Sequence, residues 1–242
     1  MNIELLYQME MMRKRRIGTG YRKKDLVLHL DAIDNTPSGH SNNTTTWYDL
    51  AGNMNITLYN ATWGTDYCSF AGNTSSYGLG AKWTFSKGIT IEAVFNLQNN
   101  PSVQYPVLAG WHKQLATSSV APNIVLNTKS GYVFLAYPNG RYEITTVPAI
   151  NQISMFSASS LVASLNGNAY NHNITFSGFT ETASTFKIGV GTQPSPSSDT
   201  PYAGTQFKGN IYAVRVYDAN LTANELYAHW LIDKKRFNIP EE

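Results

Sequence analysis

The acidic residues of this sequence decide whether it could hydrolyse a glycosidic bond. Glycosidases place two carboxyl groups about 5–10 Å apart, flanking the bond that is cleaved. On a β-strand this requires acids two residues apart, as in Glu-x-Asp-x-Glu, because alternate side chains share a face. Glu92, Glu143 and Glu181 each stand alone, with no second acid at that spacing. The pattern therefore indicates solvated strand or loop residues rather than a catalytic pair, and predicts that the protein is not an enzyme.

Histidine and cysteine offer no clearer chemistry. The histidines are scattered and form no His-Glu-x-x-His motif; they are His29, His40, His112, His172 and His229. The single Cys68 has no second cysteine for a disulfide or a zinc site. We therefore expect His29, which lies in an alternating strand, to be packed with its polar atoms satisfied. We expect Cys68 to be a small buried residue.

Aromatic residues beside polar loops suit the binding of a sugar. Sugars are held by aromatic faces and by amide and hydroxyl groups that form hydrogen bonds. Six aromatic residues lie in or beside Asn- and Ser-rich segments, and we take them as candidate ligand-binding residues: Trp63, Tyr77, Trp83, Tyr105, Trp111 and Tyr202. The alternative for each of them is packing in the core, which is what we expect of Trp47 and Trp230.

The composition indicates a folded β protein. The 242 residues are 42% hydrophobic, 12% aromatic and 14% charged, which is too apolar for a disordered chain. No run approaches the roughly 18 apolar residues of a membrane span. The abundant Asn, Thr, Ser, Gly and Tyr residues are typical of short strands joined by many turns. A chain of this length can form one large all-β domain.

Alternation of apolar and polar residues predicts about a dozen short strands from residue 25 onward. The segments that alternate or carry strand-forming residues are 26–31, 89–96, 107–110, 123–127, 132–137, 142–147, 153–158, 161–165, 186–190 and 211–217. Turn residues separate several of them, at 129–131, 138–140 and 166–168. Because no helices alternate with these strands, the pattern predicts an antiparallel sandwich rather than a parallel α/β sheet.

The last predicted strand has two apolar faces. Strict alternation places one set of its side chains on one face, namely Ile211, Ala213 and Tyr217. It places the other set on the opposite face, namely Tyr212, Val214 and Val216.

A carboxyl-terminal helix follows that strand. Thr222 and Glu225 have the spacing of a capping box, and the leucines on either side of the cap form a hydrophobic staple. Leu226, Trp230 and Phe237 share a face, and the basic run 234–236 suits the end of the helix. The pattern predicts a short helix packed on a β body.

Residues 1–24 form a basic segment. Their formal charge is +5, whereas the remaining chain carries −3 and the whole chain +2. A helix is predicted over 2–14, and a helix this short needs a surface to lie on, either the body of the protein or a partner. We take the apolar and basic residues of the segment as a docking arm: Ile3, Leu6, Met9, Arg13, Arg15 and Arg16. Because the apolar part precedes the basic part, the segment does not have the order of a signal peptide, and we expect release in the cytoplasm of the producing cell.

Five short motifs occur in order along the chain. They are Leu26-Val-Leu-His-Leu-Asp-Ala32 with Thr46-Trp47-Tyr-Asp49-Leu-Ala-Gly52-Asn53, then Phe70-Ala-Gly72, Ile89-Thr-Ile-Glu-Ala-Val-Phe95, Leu165-Asn-Gly167, and Phe207-Lys-Gly-Asn-Ile-Tyr-Ala-Val-Arg215-Val-Tyr217 before the capped helix. Over about residues 25–239 this order resembles the LamG-like branch of the concanavalin A-like jelly rolls. The resemblance implies an all-β, antiparallel jelly-roll β-sandwich with an N-terminal helical arm and a short C-terminal helix.

The resemblance also implies a module that binds carbohydrate or protein, often with a structural calcium ion held by loop carboxylates and carbonyls. Asp31 and Asp49 are the candidate metal ligands, although either could instead cap a turn. Relatives commonly carry Asp residues after the Phe-x-Gly step. This chain has Asn73-Thr-Ser-Ser-Tyr77 there, which removes carboxylates that calcium would use.

Together these patterns predict two parts, a docking arm at 1–24 and a LamG-like jelly-roll domain at 25–242. The expected function is a non-catalytic binding or structural module that the arm joins to other proteins of a larger assembly. Lone LamG-like chains with a short arm look like phage virion components, such as capsid decoration, fibre or tail proteins, so the expected location is a virion. Nucleic acid is not the expected partner, because no aromatic residues interleave the basic cluster. The alternatives are a free carbohydrate-binding lectin-like module and a glycoside hydrolase.

Overall fold

The fold was analysed in a computed structural model, which describes residues 20–98, 103–111, 123–127, 132–137, 140–144, 148–171, 185–191 and 200–240. The predicted helix over 2–14 and the docking-arm residues Ile3, Leu6, Met9, Arg13, Arg15 and Arg16 lie outside the described residues. So do Glu181, the turn predicted at 129–131 and the last part of the strand predicted at 142–147. The described residues contain sixteen β-strands, which form two sheets, and one α-helix.

The first sheet, which we call the helix-side sheet, carries the helix on its outer face. Its strands are β1 (Leu26–Asp31), β4 (Thr62–Trp63), β5 (Cys68–Ala71), β7 (Thr90–Leu97), β12 (Ile153–Ser159), β13 (Val162–Leu165), β14 (Asn168–Asn171) and β16 (Lys208–Tyr217). They pair antiparallel in the order β14-β13-β12-β7-β16-β5-β4, and β1 pairs with β16 beside β5. The strands β7 and β16 therefore form the centre of this sheet.

The second sheet faces the first across the core. Its strands are β2 (Thr46–Trp47), β3 (Ile56–Tyr59), β6 (Tyr77–Leu79), β8 (Val107–Gly110), β9 (Asn123–Asn127), β10 (Tyr132–Tyr137), β11 (Gly140–Ile144) and β15 (Lys187–Ile188). They pair in the order β11-β10-β9-β8-β15-β6-β3-β2, again antiparallel. Two antiparallel sheets packed face to face confirm the predicted all-β sandwich.

The main core lies between the sheets and is filled by alternate side chains. In β7 the inward residues are Ile91, Ala93, Phe95 and Leu97, all buried in this core. Thr90, Glu92 and Val94 alternate with them on the outer face, as the period-two pattern predicts. Cys68 is also buried in the main core, which confirms its predicted role as a packed residue.

The strand β16 departs from strict alternation at Tyr212. Its pairing with β7 shifts register between Ile211 and Ala213, which makes Tyr212 the extra residue of a β-bulge. Beyond the bulge the faces exchange, so Val214 and Val216 join Ile211 in the main core. Tyr212 and Ala213 instead pack under the helix. The prediction is therefore wrong across the bulge, because Ile211 shares a face with Val214 and Val216 instead of Ala213.

The helix α1 (Ala223–Arg236) begins at the predicted cap. The Thr222 side chain accepts a hydrogen bond from the Glu225 backbone, and the Glu225 carboxylate accepts one from the Thr222 backbone, which confirms the capping box. Leu221 and Leu226 pack together in a small cluster, as a hydrophobic staple requires. Trp230 and Phe237 pack on Val94 and neighbouring residues of the helix-side sheet. Within the described part of the chain, no helix is long and apolar enough to cross a membrane.

Candidate functional site

A buried ionic cluster lies between α1 and the helix-side sheet. We call it the Arg215 cluster; it consists of Glu92, Arg215, His229 and Asp233, all at most 2% exposed. The Arg215 Nε donates to Glu92 Oε2 at 2.7 Å, and its two terminal nitrogens bind both carboxylate oxygens of Asp233. His229 Nδ1 lies 2.9 Å from Glu92 Oε1. These bonds join β7, β16 and α1 and fix the rotation of the helix over the sheet.

The position of Glu92 overturns its predicted role as a solvated residue. Its side chain is completely buried, because α1 covers the outer face of β7. Burial opposes ionisation of Glu92, but the charge of Arg215 and the hydrogen bonds from His229 and Arg215 outweigh that effect and lower the pKa of Glu92. Glu92 is thus a structural anion inside the protein, saturated by Arg215 and His229.

The segment before β1 is bound to the same cluster. The Tyr21 hydroxyl donates to Asp233 Oδ1 at 2.5 Å, and the Arg215 guanidinium lies 4.2 Å from the centre of the Tyr21 ring. The Arg22 backbone N–H donates to His229 Nε2 at 3.2 Å. Residues 20–24 were assigned to the arm by their charge, yet Tyr21 and Arg22 contact the body directly.

His29 lies beside this segment in β1. It is 1% exposed and packs edge-on against Tyr21, with ring centres 5.3 Å apart. Neither ring nitrogen has a hydrogen-bond partner within the described residues. The prediction that His29 is packed is confirmed, but the prediction that its polar atoms are satisfied is wrong. Burial, followed by repulsion from Arg215, lowers the pKa of His29 to about 3.

The fixed helix forms one wall of a cleft. His229 points inward to Glu92, and Asp233 points inward to Arg215. The residues that follow them, Trp230 and Lys234, therefore lie on the adjoining flank of α1. The cleft between this flank and the helix-side sheet has a volume of about 710 Å³, which lies within the range of small-molecule sites. Its lining residues are Asn96, Asn151, Gln152, Ile153, Asn166, Tyr212, Trp230, Lys234, Ile239 and Pro240.

The bulge of β16 brings Tyr212 to this cleft. As the extra residue of the bulge, Tyr212 is turned to the helix side, where it packs edge-on against Phe237 with ring centres 5.5 Å apart. Burial raises the pKa of the Tyr212 hydroxyl, which therefore stays protonated at neutral pH. The cleft thus has two aromatic residues, Tyr212 and Trp230, in its wall.

Four amide side chains complete the lining. Asn166 Oδ1 accepts a hydrogen bond from the Met155 backbone at 2.9 Å, which holds this residue in place. Asn96 Oδ1 is buried and has no partner within the described residues. Asn151 and Gln152 are exposed at the rim. None of the described lining residues carries a carboxylate, so these residues offer hydrogen bonds, aromatic surface and one cation.

None of the six predicted aromatic residues lines the cleft. Trp111 is completely buried and donates its Nε1–H to the Ala81 carbonyl, which agrees with the alternative of packing in the core. Trp63 donates its Nε1–H to the Thr44 carbonyl at 2.8 Å. Both Trp63 and Trp83 pack against the main core. Tyr105 packs on a small cluster beside β8.

The remaining two predicted aromatics are Tyr202 and Tyr77, and both are half-buried. Tyr202 is half-buried, and its carbonyl accepts a hydrogen bond from Thr205 Oγ1 at 2.6 Å. Tyr77 stacks on Tyr59 across the pair of strands β3 and β6, with ring centres 4.7 Å apart and planes inclined by 19°. Tyr59 is 40% exposed. Tyr77 is therefore part of an aromatic pair at the surface of the second sheet.

The two candidate metal ligands bind protein groups. Asp49 accepts hydrogen bonds from four backbone N–H groups, those of His29, Ala51, Asn53 and Met54, at 2.7–2.9 Å. Asp31 accepts from the Ile33 backbone and from the Arg236 side chain. Within the described residues, no group of three or more His, Cys, Asp or Glu residues could hold a metal ion. This arrangement matches the alternative in which each aspartate caps a turn.

Comparison with known proteins shows the fold class of this chain. No family model matches the sequence, and no curated protein matches it either. Among solved structures the chain is similar to the sialidase of Trypanosoma rangeli, with a TM-score of 0.66 and 11% identity. That match covers 99% of this chain and 39% of the sialidase.

Two binding domains are similar to the chain as well. The ligand-binding domain of botulinum neurotoxin serotype D has a TM-score of 0.60 at 8% identity, covering 86% of this chain and 51% of that one. The binding domain of Paraclostridial mosquitocidal protein 1 has a TM-score of 0.60 at 12% identity. That match covers 89% of this chain and 53% of the binding domain. At these identities the similarity extends to the fold alone, an antiparallel β-sandwich, and the chain spans only part of each of these proteins.

Proposed function

We propose that this protein is a non-catalytic carbohydrate-binding module whose site is the cleft between α1 and the helix-side sheet. The observation that carries the proposal is the combination of amide groups and aromatic rings around one cleft of suitable size. Sugars present hydroxyl groups at their edges and C–H groups on their faces, so they need amides beside aromatic surface. Asn151, Gln152 and Asn166 supply the amides, and Tyr212 and Trp230 the rings.

The walls of the cleft are rigid before any ligand arrives. Trp230 and Lys234 belong to a helix that is tied to the sheet through Arg215, and Tyr212 is held by its bulge. Asn166 is fixed by its bond to the Met155 backbone. A site that is already ordered loses little conformational entropy on binding, which favours affinity.

Binding without bond cleavage agrees with the position of the acids. Hydrolysis requires two carboxyl groups that reach one glycosidic bond. Glu92 and Asp233 are buried and occupied by Arg215, and no carboxylate lines the cleft among the residues that the structure describes. A sialidase is among the similar structures, so the proposal needs a direct activity test, which is given below.

The first ligand to test is an acidic sugar. The botulinum neurotoxin domain that resembles this chain was solved in complex with N-acetylneuraminic acid. In this chain, Lys234 places a cation at the cleft where a sugar carboxylate could be held. Neutral sugars of the same size serve as the comparison.

The test is a glycan array followed by calorimetric titration of each hit. The variant Asn151→Gly with Gln152→Ala removes two exposed amides, and glycine preserves the left-handed backbone of residue 151, whose φ is 63°. We expect at least a tenfold loss of affinity. The control Asn60→Gly changes an exposed asparagine with φ of 46°, in the connection between β3 and β4, and should leave the affinity unchanged. An array without hits, or equal affinities for the two variants, would overturn the proposal.

We also propose that the basic segment up to residue 24 joins this module to a larger assembly, such as a phage virion. The charge of +5 and the apolar stripe of the segment support this second role. Because Tyr21 and Arg22 belong to the body, the deletion to test is 1–19. The shortened protein should fold and bind glycan as before but no longer co-sediment with the assembly. Continued co-sedimentation would refute the role of the arm and favour a free lectin-like module. Capsid or tail genes beside its gene would favour the virion.

A further inference from the structure

An exposed aromatic residue lies on the flank of α1 that forms the cleft wall. Tyr227 precedes Trp230 by three residues and Lys234 by seven, so all three lie along one side of the helix. With a rise of about 1.5 Å per residue, this row extends about 10 Å along the helix axis. Trp230 and Lys234 line the cleft, whereas Tyr227 lies beyond its end and is 51% exposed.

The turn between β13 and β14 connects the cleft to Tyr227. Asn166 of this turn lines the cleft, and Gly167 follows it with φ of 80°. A Cβ atom at Gly167 would lie 2.4 Å from Trp230 Cδ1 and 3.1 Å from Tyr227 Cδ2. The backbone of Gly167 therefore touches both rings, and no side chain at this position separates them. The surface continues from the cleft across Gly167 to the ring of Tyr227.

The strand after the turn adds a small residue and an amide on the same side. Asn171 and Ala169 pair with Val162 and Ser164 of β13. Val162 packs with Leu226 of α1, so Ala169 and Asn171 share the face of the sheet that carries the helix. Both are exposed, because β14 is the edge strand of the helix-side sheet. The surface that continues from the cleft, which we call the extension, thus has the aromatic ring of Tyr227, the small side chain of Ala169 and the amide group of Asn171.

We infer that the site binds an oligosaccharide chain, with one sugar ring in the cleft and a following ring on Tyr227 beyond the Gly167 turn. This rests on the proposed carbohydrate-binding function and defines its ligand class. Tyr227 offers an exposed ring on which a pyranose can stack, and Asn171 lies at the outer end of the same surface. The cleft alone would accept a terminal monosaccharide; the extension selects for a longer glycan.

The test compares a monosaccharide that binds the protein with oligosaccharides that carry the same sugar at one end. Calorimetric titration of the wild-type protein should give at least tenfold tighter binding of the oligosaccharide. The variant Tyr227→Ala should abolish this advantage while changing the monosaccharide affinity less than twofold. The variant Tyr227→Phe, which keeps the ring, should retain most of the advantage. The matched control Tyr59→Ala removes an exposed tyrosine of the second sheet and should have no effect.

The outcomes separate this inference from the function on which it rests. Equal affinity of the wild-type protein for the two ligands would overturn the extension while leaving the cleft in place, provided that Asn151→Gly with Gln152→Ala still weakens binding. A Tyr227→Ala protein that loses affinity for both ligands equally would also overturn it. Absence of any glycan binding would refute both the carbohydrate site and its extension.

Discussion

Replacement of Arg215 by methionine should destabilise the protein more than any other single change in the cluster. Arg215 is the only cation that binds both Glu92 and Asp233 within the described residues, and all three side chains are at most 1% exposed. Methionine has a similar length but no charge, so the two carboxylates would remain buried and lose their common partner. Removing one partner of a buried ion pair typically costs about 3–5 kcal/mol. Loss of the cation–π contact with Tyr21 would add about 0.5–2 kcal/mol.

The assay is urea denaturation at pH 7, followed by intrinsic fluorescence and by circular dichroism. The free energy of unfolding of a domain is commonly about 5–15 kcal/mol, so Arg215→Met should remove a large part of it. The triple variant Glu92→Gln, Asp233→Asn and Arg215→Met removes the charges together, and we expect it to regain at least half of the lost stability. It also gives a result if the single variant fails to fold. A loss of less than about 1 kcal/mol for Arg215→Met would refute this account of the cluster.

Four further predictions concern acidity, capping, the turn and catalysis. Burial lowers the pKa of His29 to about 3, so on acidification the unfolded chain protonates His29 before the folded protein does. The stability that depends on neutral His29 is therefore fully present above about pH 6.5 and is lost as the pH falls towards 3. Between pH 7 and pH 5, urea denaturation should show about 2 kcal/mol more loss for the wild type than for His29→Phe. Thr222→Ala should lower the free energy of unfolding by about 1 kcal/mol in the same assay, because it removes the capping box. Gly167→Ala should cost about 1–3 kcal/mol in thermal denaturation and weaken glycan binding, because its φ is 80° and Trp230 lies in the way. A fluorogenic sialoside should not be hydrolysed; turnover that Glu92→Gln abolishes would restore the enzyme hypothesis.

Local patterns were sufficient to predict most of the fold. The faces of β7 follow strict alternation, and the start of α1 follows from Thr222 and Glu225, because both depend on neighbours in sequence. The short strands β2 to β6 were not predicted, since two to four residues are too few for a period-two pattern to emerge. The bulge at Tyr212 has no signal in the sequence, because it depends on the register with β7.

The candidate site was missed for the same reason. Glu92 is isolated in the sequence because its partners Arg215 and His229 are 123 and 137 residues away. The cleft draws Asn96 from β7, Asn166 from a turn and Trp230 from α1, so only the assembled fold brings them together. Counting aromatic residues beside polar loops selected Trp111, which the core needs. The Asn-Gly sequence at 166–167 is a local signal near the cleft, but it predicts a turn and does not indicate that Asn166 lines a binding site.

The attachment of Tyr21 to Asp233 has a mechanical consequence. The segment that leads into β1 is held by side-chain bonds to α1, close to the point where Arg22 also meets His229. A pulling force applied through residues before 20 would therefore load these side-chain contacts before it could peel β1 away from β16. The hydrogen bonds between β1 and β16 would therefore be protected from tension on the segment before residue 20 until these side-chain contacts break.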